Sequence, residues 1–239
     1  MKQDRRGVRL VSDNLRLHIL HSCPFSWKVR STLEHLQLPF DEVQVHPLKV
    51  KKQLNELTQD TWGKVPVLED AHGVHVDSTP IMKYLDRTYA DSRLSNGTDP
   101  ERHATWLEWV DEKFKDATIP ILYGSLRRSG ATSWRIARME RFSWFSSRLY
   151  AWSGFLIMRL IAGRKMKADG RKPERLWHDL LDEWCDAIGE DPFLGGSTPS
   201  IADLAAFGYM RSISPFKQFR TLEAHDRGIA FYRRMEATL

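Results

Sequence analysis

Two periodicities divide this chain and predict an α/β N-terminal domain followed by an all-α helical C-terminal domain. Three observations carry that prediction. Over residues 15–90, short runs with the period 2 of strands alternate with runs at the 3.6 spacing of helices. The stretch DSRLSNGTDP at 91–100, rich in Ser, Asn, Gly and Pro, then interrupts the apolar pattern and predicts a linker. Beyond it, over 101–239, no strand pattern appears, and segments such as 101–114 and 175–188 have helical apolar spacing. A chain of 239 residues is long enough for two compact domains with cores of their own.

The first element is LRLHIL at 15–20, in which Leu15, Leu17 and Ile19 share one face of a half-buried strand. Pro24 opens a helix whose apolar residues Phe25, Val29, Leu33 and Leu36 recur at helical spacing. It ends at Leu38-Pro39, because the residue before a proline avoids the α region. Residues 40–45 predict a second strand, 49–57 a helix or loose turn, 65–68 a third strand, and 74–76 a fourth after a turn at 70–73. A helix over 80–89 closes the set. The order βαβαββα, with a parallel crossing first and a hairpin last, is the thioredoxin arrangement, a mixed sheet covered by helices on both faces. In the second domain, 101–114 and 175–188 are helical by spacing. The segment 200–210 begins with Ser200 three residues before Asp203, the pattern of a capping box. Residues 1–14, MKQDRRGVRLVSDN, carry basic residues with no apolar segment behind them and predict a short flexible tail, not a signal peptide or anchor.

Charge is unevenly placed. The chain carries a net +5, yet 127–172 holds twelve Lys or Arg against Glu140 and Asp169, a local +10 that leaves −5 for the remainder. That asymmetry argues against a protein that coats nucleic acid and for one basic, aromatic-rich surface on a slightly acidic body. With only two cysteines, Cys23 and Cys185, there is no disulfide framework and no zinc ribbon, and a reducing, cytoplasmic compartment fits best.

The chemistry concentrates where the first strand ends. In Cys23-Pro24-Phe25-Ser26 the thiol stands at a helix N-terminus, where unpaired amides and the positive end of the helix dipole favour an anion. The expectation is a thiol that ionises more readily than a free cysteine, aided by Lys28 and Arg30 one turn on. Cys185 lies on the apolar stripe of its helix and is expected to be an inert core thiol. A dithiol oxidoreductase needs a second cysteine at position 26 to resolve a mixed disulfide; Ser26 stands there, so any disulfide at Cys23 must be cleared by an external thiol, glutathione being the natural candidate.

Two further motifs follow. A proline that starts the third strand of such a fold, often cis, leaves the backbone of the preceding residue free to pair with an extended peptide, which singles out Val65 and Pro66. In Asp77-Ser78-Thr79-Pro80, Ser78 or Thr79 can cap the next helix, whose free amides suit a carboxylate, while Asp77 suits an ammonium; together they fit the amino-acid end of a γ-glutamyl peptide. The plainer alternatives are a trans proline at a strand edge and a simple helix cap. His18, His21 and Cys23 do not read as metal ligands, because residues three apart on a strand face opposite ways. The chain has no GxGxxG, GxxxxGK[ST] or GxSxG, the usual signs of nucleotide and serine-hydrolase chemistry.

The most apolar run, LYAWSGFLIMRLIAG at 149–163, is 15 residues with Arg159 inside, short of the ~20 that span a bilayer. It is expected to be a buried helix. Its neighbours Trp134, Arg135, Arg138, Arg141, Phe142, Trp144, Phe145 and Arg148 suit, as the alternative, peripheral contact of 127–172 with anionic lipid, or a basic lip over an acidic substrate.

Three segments, LHILHSCPFSWKVRSTLEHLQLPFDEVQVHPL, KVPVLED and VDSTPIMKYL, resemble the N-terminal domain of glutathione transferases with an active cysteine. With DPFLGGSTPSIADLAAFGYMRS and RLYAWSGFLIMRLIAGRK, they are most similar to the family of membrane-associated prostaglandin E synthases of type 2. The resemblance implies glutathione bound where the two domains meet, and a homodimer. By position it implies Cys23 as the active thiol with Phe25 and Ser26 beside it, Val65 and Pro66 against the glutathione backbone, and Asp77 with Ser78 on its γ-glutamyl end. It also implies haem held through the glutathione sulfur, and isomerisation of prostaglandin H to E. Ser26 and Leu20 depart from the pattern, standing where a second cysteine and a tyrosine are usual.

The leading functional expectation is a glutathione-dependent transferase or monothiol oxidoreductase acting through Cys23 on a small electrophile or disulfide. The alternatives are the isomerase and a noncatalytic glutathione- or haem-binding adaptor docking through the basic segment.

Overall fold

The computed structural model describes residues 14–47, 49–97, 99–140 and 144–239, with backbone alone at 126–129, 144–155 and 157. The tail expected over 1–14 lies outside the described residues except for its last position.

The first half reads β1 (Leu15–Ile19), α1 (Pro24–His35), β2 (Phe40–Gln44), α2 (Val50–Leu57), β3 (Val67–Asp70), β4 (Gly73–Val76) and α3 (Ser78–Tyr89). The sheet order is β2-β1-β3-β4. β1 runs parallel to β2 with Leu15 opposite Phe40. β3 runs antiparallel to β1 with His18 opposite Val67. β4 runs antiparallel to β3 with Val67 opposite Val76. This is the thioredoxin-like arrangement that the order of elements predicted. The third strand begins two residues later than expected, since Pro66 brings no N–H to a ladder and precedes the strand instead of opening it.

From Pro100 onward the described elements are helical: α4 (Pro100–Tyr123), α5 (Leu126–Met139), α6 (Trp144–Asp169), α7 (Pro173–Ile188), α8 (Ile201–Ile213), a 3-10 turn (Lys217–Phe219), α9 (Arg220–Glu223) and α10 (Asp226–Glu236). α4 runs well past the expected end at 114, because Pro120 is accommodated inside the helix. At α8 the capping box forms as the spacing predicted: Ser200 Oγ accepts from the Asp203 amide, and the Asp203 carboxylate accepts from the Ser200 amide at 2.8 Å. The linker is ordered by one buried side chain, Asp86, whose carboxylate accepts from the Leu94 and Ser95 amides at 2.9 and 3.0 Å.

One apolar core runs through both halves, from Leu17, Val29 and Leu33 to Phe114, Trp177, Trp184, Phe207 and Phe231. The domains meet where α1 lies against α8. A Cβ on Gly208 would fall 2.6 Å from Lys28 Cα, so only glycine permits that approach. The apolar run at 149–163 corrects one expectation. It falls within α6, but Leu156 and Leu160 are 56% and 58% exposed, while Ala162 is buried. Residues four apart share a helix face, so the face that carries Leu156 and Leu160 points outward; the side chains over 149–155 and at 157 lie outside the described residues. Among the described residues no helix is long and apolar enough to cross a membrane.

Candidate functional site

Strand directions bring the sequence-derived residues to one end of the sheet. β1 runs out toward Cys23; antiparallel β3 starts beside it, after Val65 and Pro66; β4, antiparallel again, ends beside that start and delivers Asp77 and Ser78. The N-termini of α1 and α3 therefore open on the same side as the carboxyl end of β1, where open α/β sheets place their ligands. The Val65-Pro66 peptide is cis. Pro66 is buried and Val65 half-buried.

Cys23 is the N-cap of α1, with extended backbone and Pro24 in the first turn. Its own carbonyl accepts the Ser26 and Trp27 amides at 3.1 and 3.3 Å. The thiol is half-buried, and burial, the largest influence on it, pushes its pKa up. Hydrogen bonds from the Phe25 and Ser26 amides and the Ser26 hydroxyl favour the thiolate but do not offset that burial, and the Glu140 carboxylate adds to the upward shift. This overturns the expectation of a readily ionised thiol: the helix-terminus donors are present, and desolvation outweighs them. The expected help from Lys28 and Arg30 is also absent. Lys28 is fully buried and turned toward Asp111, and Arg30 pairs with Glu34 and Glu42 at 2.8 and 3.0 Å.

Ser26, at the position of the missing second cysteine, is 3% exposed. Among the described residues its Oγ has no partner but the Cys23 sulfur, which is the group it serves. Phe25 packs edge-on against Tyr209, with ring centroids 6.1 Å apart.

At the start of α3 the capping differs from the expectation. Asp77, not Ser78 or Thr79, is the cap: its Oδ1 accepts the Ser78 amide at 2.7 Å. Asp77 holds φ 67, ψ 138, a left-handed conformation that a non-glycine residue keeps only when its surroundings enforce it. The result is an exposed carboxylate directly before a buried Ser78 at a helix N-terminus.

Three residues that motif reading missed complete the floor and wall. Lys28 Nζ donates to Thr79 Oγ1 at 2.7 Å and to Asp111, and Thr79 Oγ1 donates to the other oxygen of Asp111. The Tyr209 hydroxyl reaches Asp111 at 3.3 Å and feels the charge of both Cys23 and Asp77. Burial, then Asp111, pushes the Tyr209 pKa up, so the phenol stays protonated and acts as a donor. Burial pulls the Lys28 pKa down, and the adjacent Asp111 opposes that shift. Just past the end of α5, Glu140 reaches the turn before Cys23 and accepts the Ser22 amide. Asp111 on α4, Tyr209 on α8 and Glu140 just after α5 have no motif around them; only the fold assembles them.

The family model described as "Glutathione S-transferase, N-terminal domain" matches residues 17–93. The chain is 24% identical to "Prostaglandin E synthase 2" of Mus musculus, over 100% of its own length and 74% of that protein. A glutathione S-transferase from Rhodospirillum rubrum F11 has a TM-score of 0.63 at 20% identity, covering 91% of this chain and 86% of its own. Glutathione S-transferase I, whose structure was solved bound with lactoylglutathione, has a TM-score of 0.62 at 16% identity, covering 94% and 98%.

Proposed function

We propose that this chain, which belongs to the glutathione transferase superfamily and stands close to prostaglandin E synthase 2, is a glutathione-dependent transferase of the cysteine type that carries out monothiol exchange at Cys23. The observation that carries the reading is Cys23 at the α1 N-terminus with the Phe25 and Ser26 amides and the buried Ser26 hydroxyl turned to its sulfur, where a resolving cysteine would stand. Glutathione is the second reactant. Its γ-glutamyl end is assigned to Asp77 for the ammonium and to Ser78 at the α3 N-terminus for the carboxylate, its peptide backbone to Val65 beside Pro66, with Phe25 on the flank.

In the exchange, the Cys23 thiolate attacks one sulfur of a disulfide R–S–S–R′. A Cys23–S–S–R bond forms as the S–S bond breaks, and R′S⁻ leaves with the electron pair. A glutathione thiolate then attacks the R sulfur of the mixed disulfide; a glutathione–S–S–R bond forms as the Cys23 S–S bond breaks, and the Cys23 thiolate leaves with the electron pair. The Phe25 and Ser26 amides and the Ser26 hydroxyl stabilise the sulfur anion at both steps. With Cys185 buried on α7, no internal thiol competes with glutathione.

Likeness to prostaglandin E synthase 2 over the whole chain favours isomerisation of prostaglandin H to E as a second reading. Haem enters only through the family resemblance; the residues gathered at Cys23 account for glutathione without it. Homodimerisation, contact of the basic 127–172 segment with a membrane and a cytoplasmic location likewise rest on the resemblance and the charge pattern.

The test is a panel of glutathione-disulfide exchange, electrophile conjugation and prostaglandin H conversion, run on the wild type and on Cys23→Ser. The expected outcome is turnover in exchange that falls to the uncatalysed rate in Cys23→Ser, with glutathione recovered on Cys23 by mass spectrometry. Full exchange activity in Cys23→Ser overturns the reading, and prostaglandin conversion without exchange moves it to the isomerase.

A further inference from the structure

Glu140 follows α5 directly, on the helical side of the domain junction, and is 4% exposed. Its Oε1 accepts the backbone amide of Ser22 at 2.7 Å, across 118 residues of sequence. Its Oε2 accepts from Gln44 Nε2, at the end of β2, at 3.1 Å, and the same amide group reaches the Met139 carbonyl at 3.3 Å. Both partners are donors, the surroundings that a carboxylate anion takes. A buried anion is costly unless it has a task or a partner that holds it. Ser22 immediately precedes Cys23, so this carboxylate is fastened to the turn that presents the thiol.

We propose that Glu140 is a positioning residue of the Cys23 site: it ties the turn before the thiol to the helical domain and places a fixed negative charge there that restrains the reactivity of Cys23. The inference rests on the reading of Cys23 as the reactive thiol. The groups acting on that sulfur are the Phe25 and Ser26 amides and the Ser26 hydroxyl from α1 and the Glu140 carboxylate, while the Tyr209 hydroxyl of α8, which donates to Asp111, feels the charge of the sulfur. His21 stands in the same turn, its carbonyl held by Trp27 Nε1 at 2.8 Å. Lys28 is committed to Asp111 and Thr79 and offers the sulfur no counter-charge. Glu140 is thus the nearby anion set against the three thiolate-stabilising donors. A like charge beside an ionising group disfavours the ionised form, and removing it shifts the balance back. Because the carboxylate belongs to the helical domain, thiol reactivity also becomes sensitive to how α5 is seated on the sheet.

The experiment measures the rate of iodoacetamide alkylation of Cys23 against pH in a Cys185→Ser background, for wild type, Glu140→Gln, Glu140→Met and Glu140→Asp. Gln and Met remove the charge at near-constant volume, so if one of them fails to fold the other still reports. The expected result is a lower alkylation midpoint in the neutral variants and alkylation at pH 7 faster by about threefold or more, while Glu140→Asp, which keeps the charge, stays near wild type. An unchanged midpoint in a folded neutral variant, or an equal shift in Glu140→Asp, overturns the proposal. The readout needs no glutathione, so loss of the transferase reading through an active Cys23→Ser leaves it independently decidable.

Discussion

The two cysteines of this chain occupy opposite kinds of helix position, and burial pushes both thiols up. Cys23 caps the N-terminus of α1, half-buried, with two amides and a hydroxyl turned toward its sulfur. Cys185 lies inside α7, buried on the apolar stripe, with the positive charges of Arg227 and Arg234 as its main favourable influence. A cavity of about 240 Å³ opens beside it, lined by Ile188, Arg227 and Arg234. Both thiols therefore have electrostatic support, but only Cys23 has donors arranged around the sulfur itself. Under the proposed reading, what separates the reactive thiol from the structural one is access and directed hydrogen bonding, and not the resting pKa alone.

The largest expected effect tests that contrast directly. In the native protein, brief labelling with iodoacetamide should modify Cys23 faster than Cys185 by at least about tenfold, as read by peptide mass spectrometry, and the two rates should converge in denaturant. Equal native rates would dissolve the distinction. A second, smaller effect asks whether the Cys23 end also holds a ligand. If Asp77 and Ser78 bind the γ-glutamyl zwitterion, Asp77→Asn and Ser78→Ala should each weaken calorimetric glutathione binding about tenfold or more, since hydrogen bonds to charged groups are worth about 1.5–3 kcal/mol. The capping geometry sharpens this. Asp77 makes the cap, and asparagine caps a helix as well as aspartate, so Asp77→Asn should bind poorly while melting nearly as the wild type. A lowered melting temperature with unchanged affinity would return both residues to a structural role.

The fold was legible in the sequence wherever a pattern was local. Strand alternation at Leu15, Leu17 and Ile19, the Pro24 helix start and the Ser200 capping box are each set by neighbours within one or two turns. Legibility failed where tertiary burial decides. The Cys23 thiol was expected to ionise easily because a helix terminus can be read from sequence, whereas the desolvation that outweighs it cannot. Lys28 was read as a charge near the thiol, but its direction depends on Asp111 of α4, 83 residues away. Glu140 and Tyr209 gave no signal at all, since a lone acid at a helix end and a tyrosine in LAAFGYM resemble an ordinary surface and an ordinary core.

The smallest expected effect decides between the two accounts of Cys23 by its sign. If the thiol ionised more readily in the folded chain, as its helix position suggested, the folded state would lose its proton first, and its advantage over the unfolded chain would grow as pH rises toward the ordinary thiol value of about 8.5. Burial of the thiol points to the reverse. With the folded pKa raised, the unfolded chain releases its proton first, so the contribution of Cys23 is fully present below about pH 8.5 and is lost as pH rises toward the folded value. Subtracting the melting temperatures of Cys23→Ser from those of wild type, from pH 7 to 10, isolates this group from Cys185, Tyr209 and the other residues that titrate at alkaline pH, because those are common to both proteins. The difference should decline with pH by a few degrees at most for a chain of this length. A difference that rises over the same range would restore the ionised thiol and remove the restraining role of Glu140 along with it.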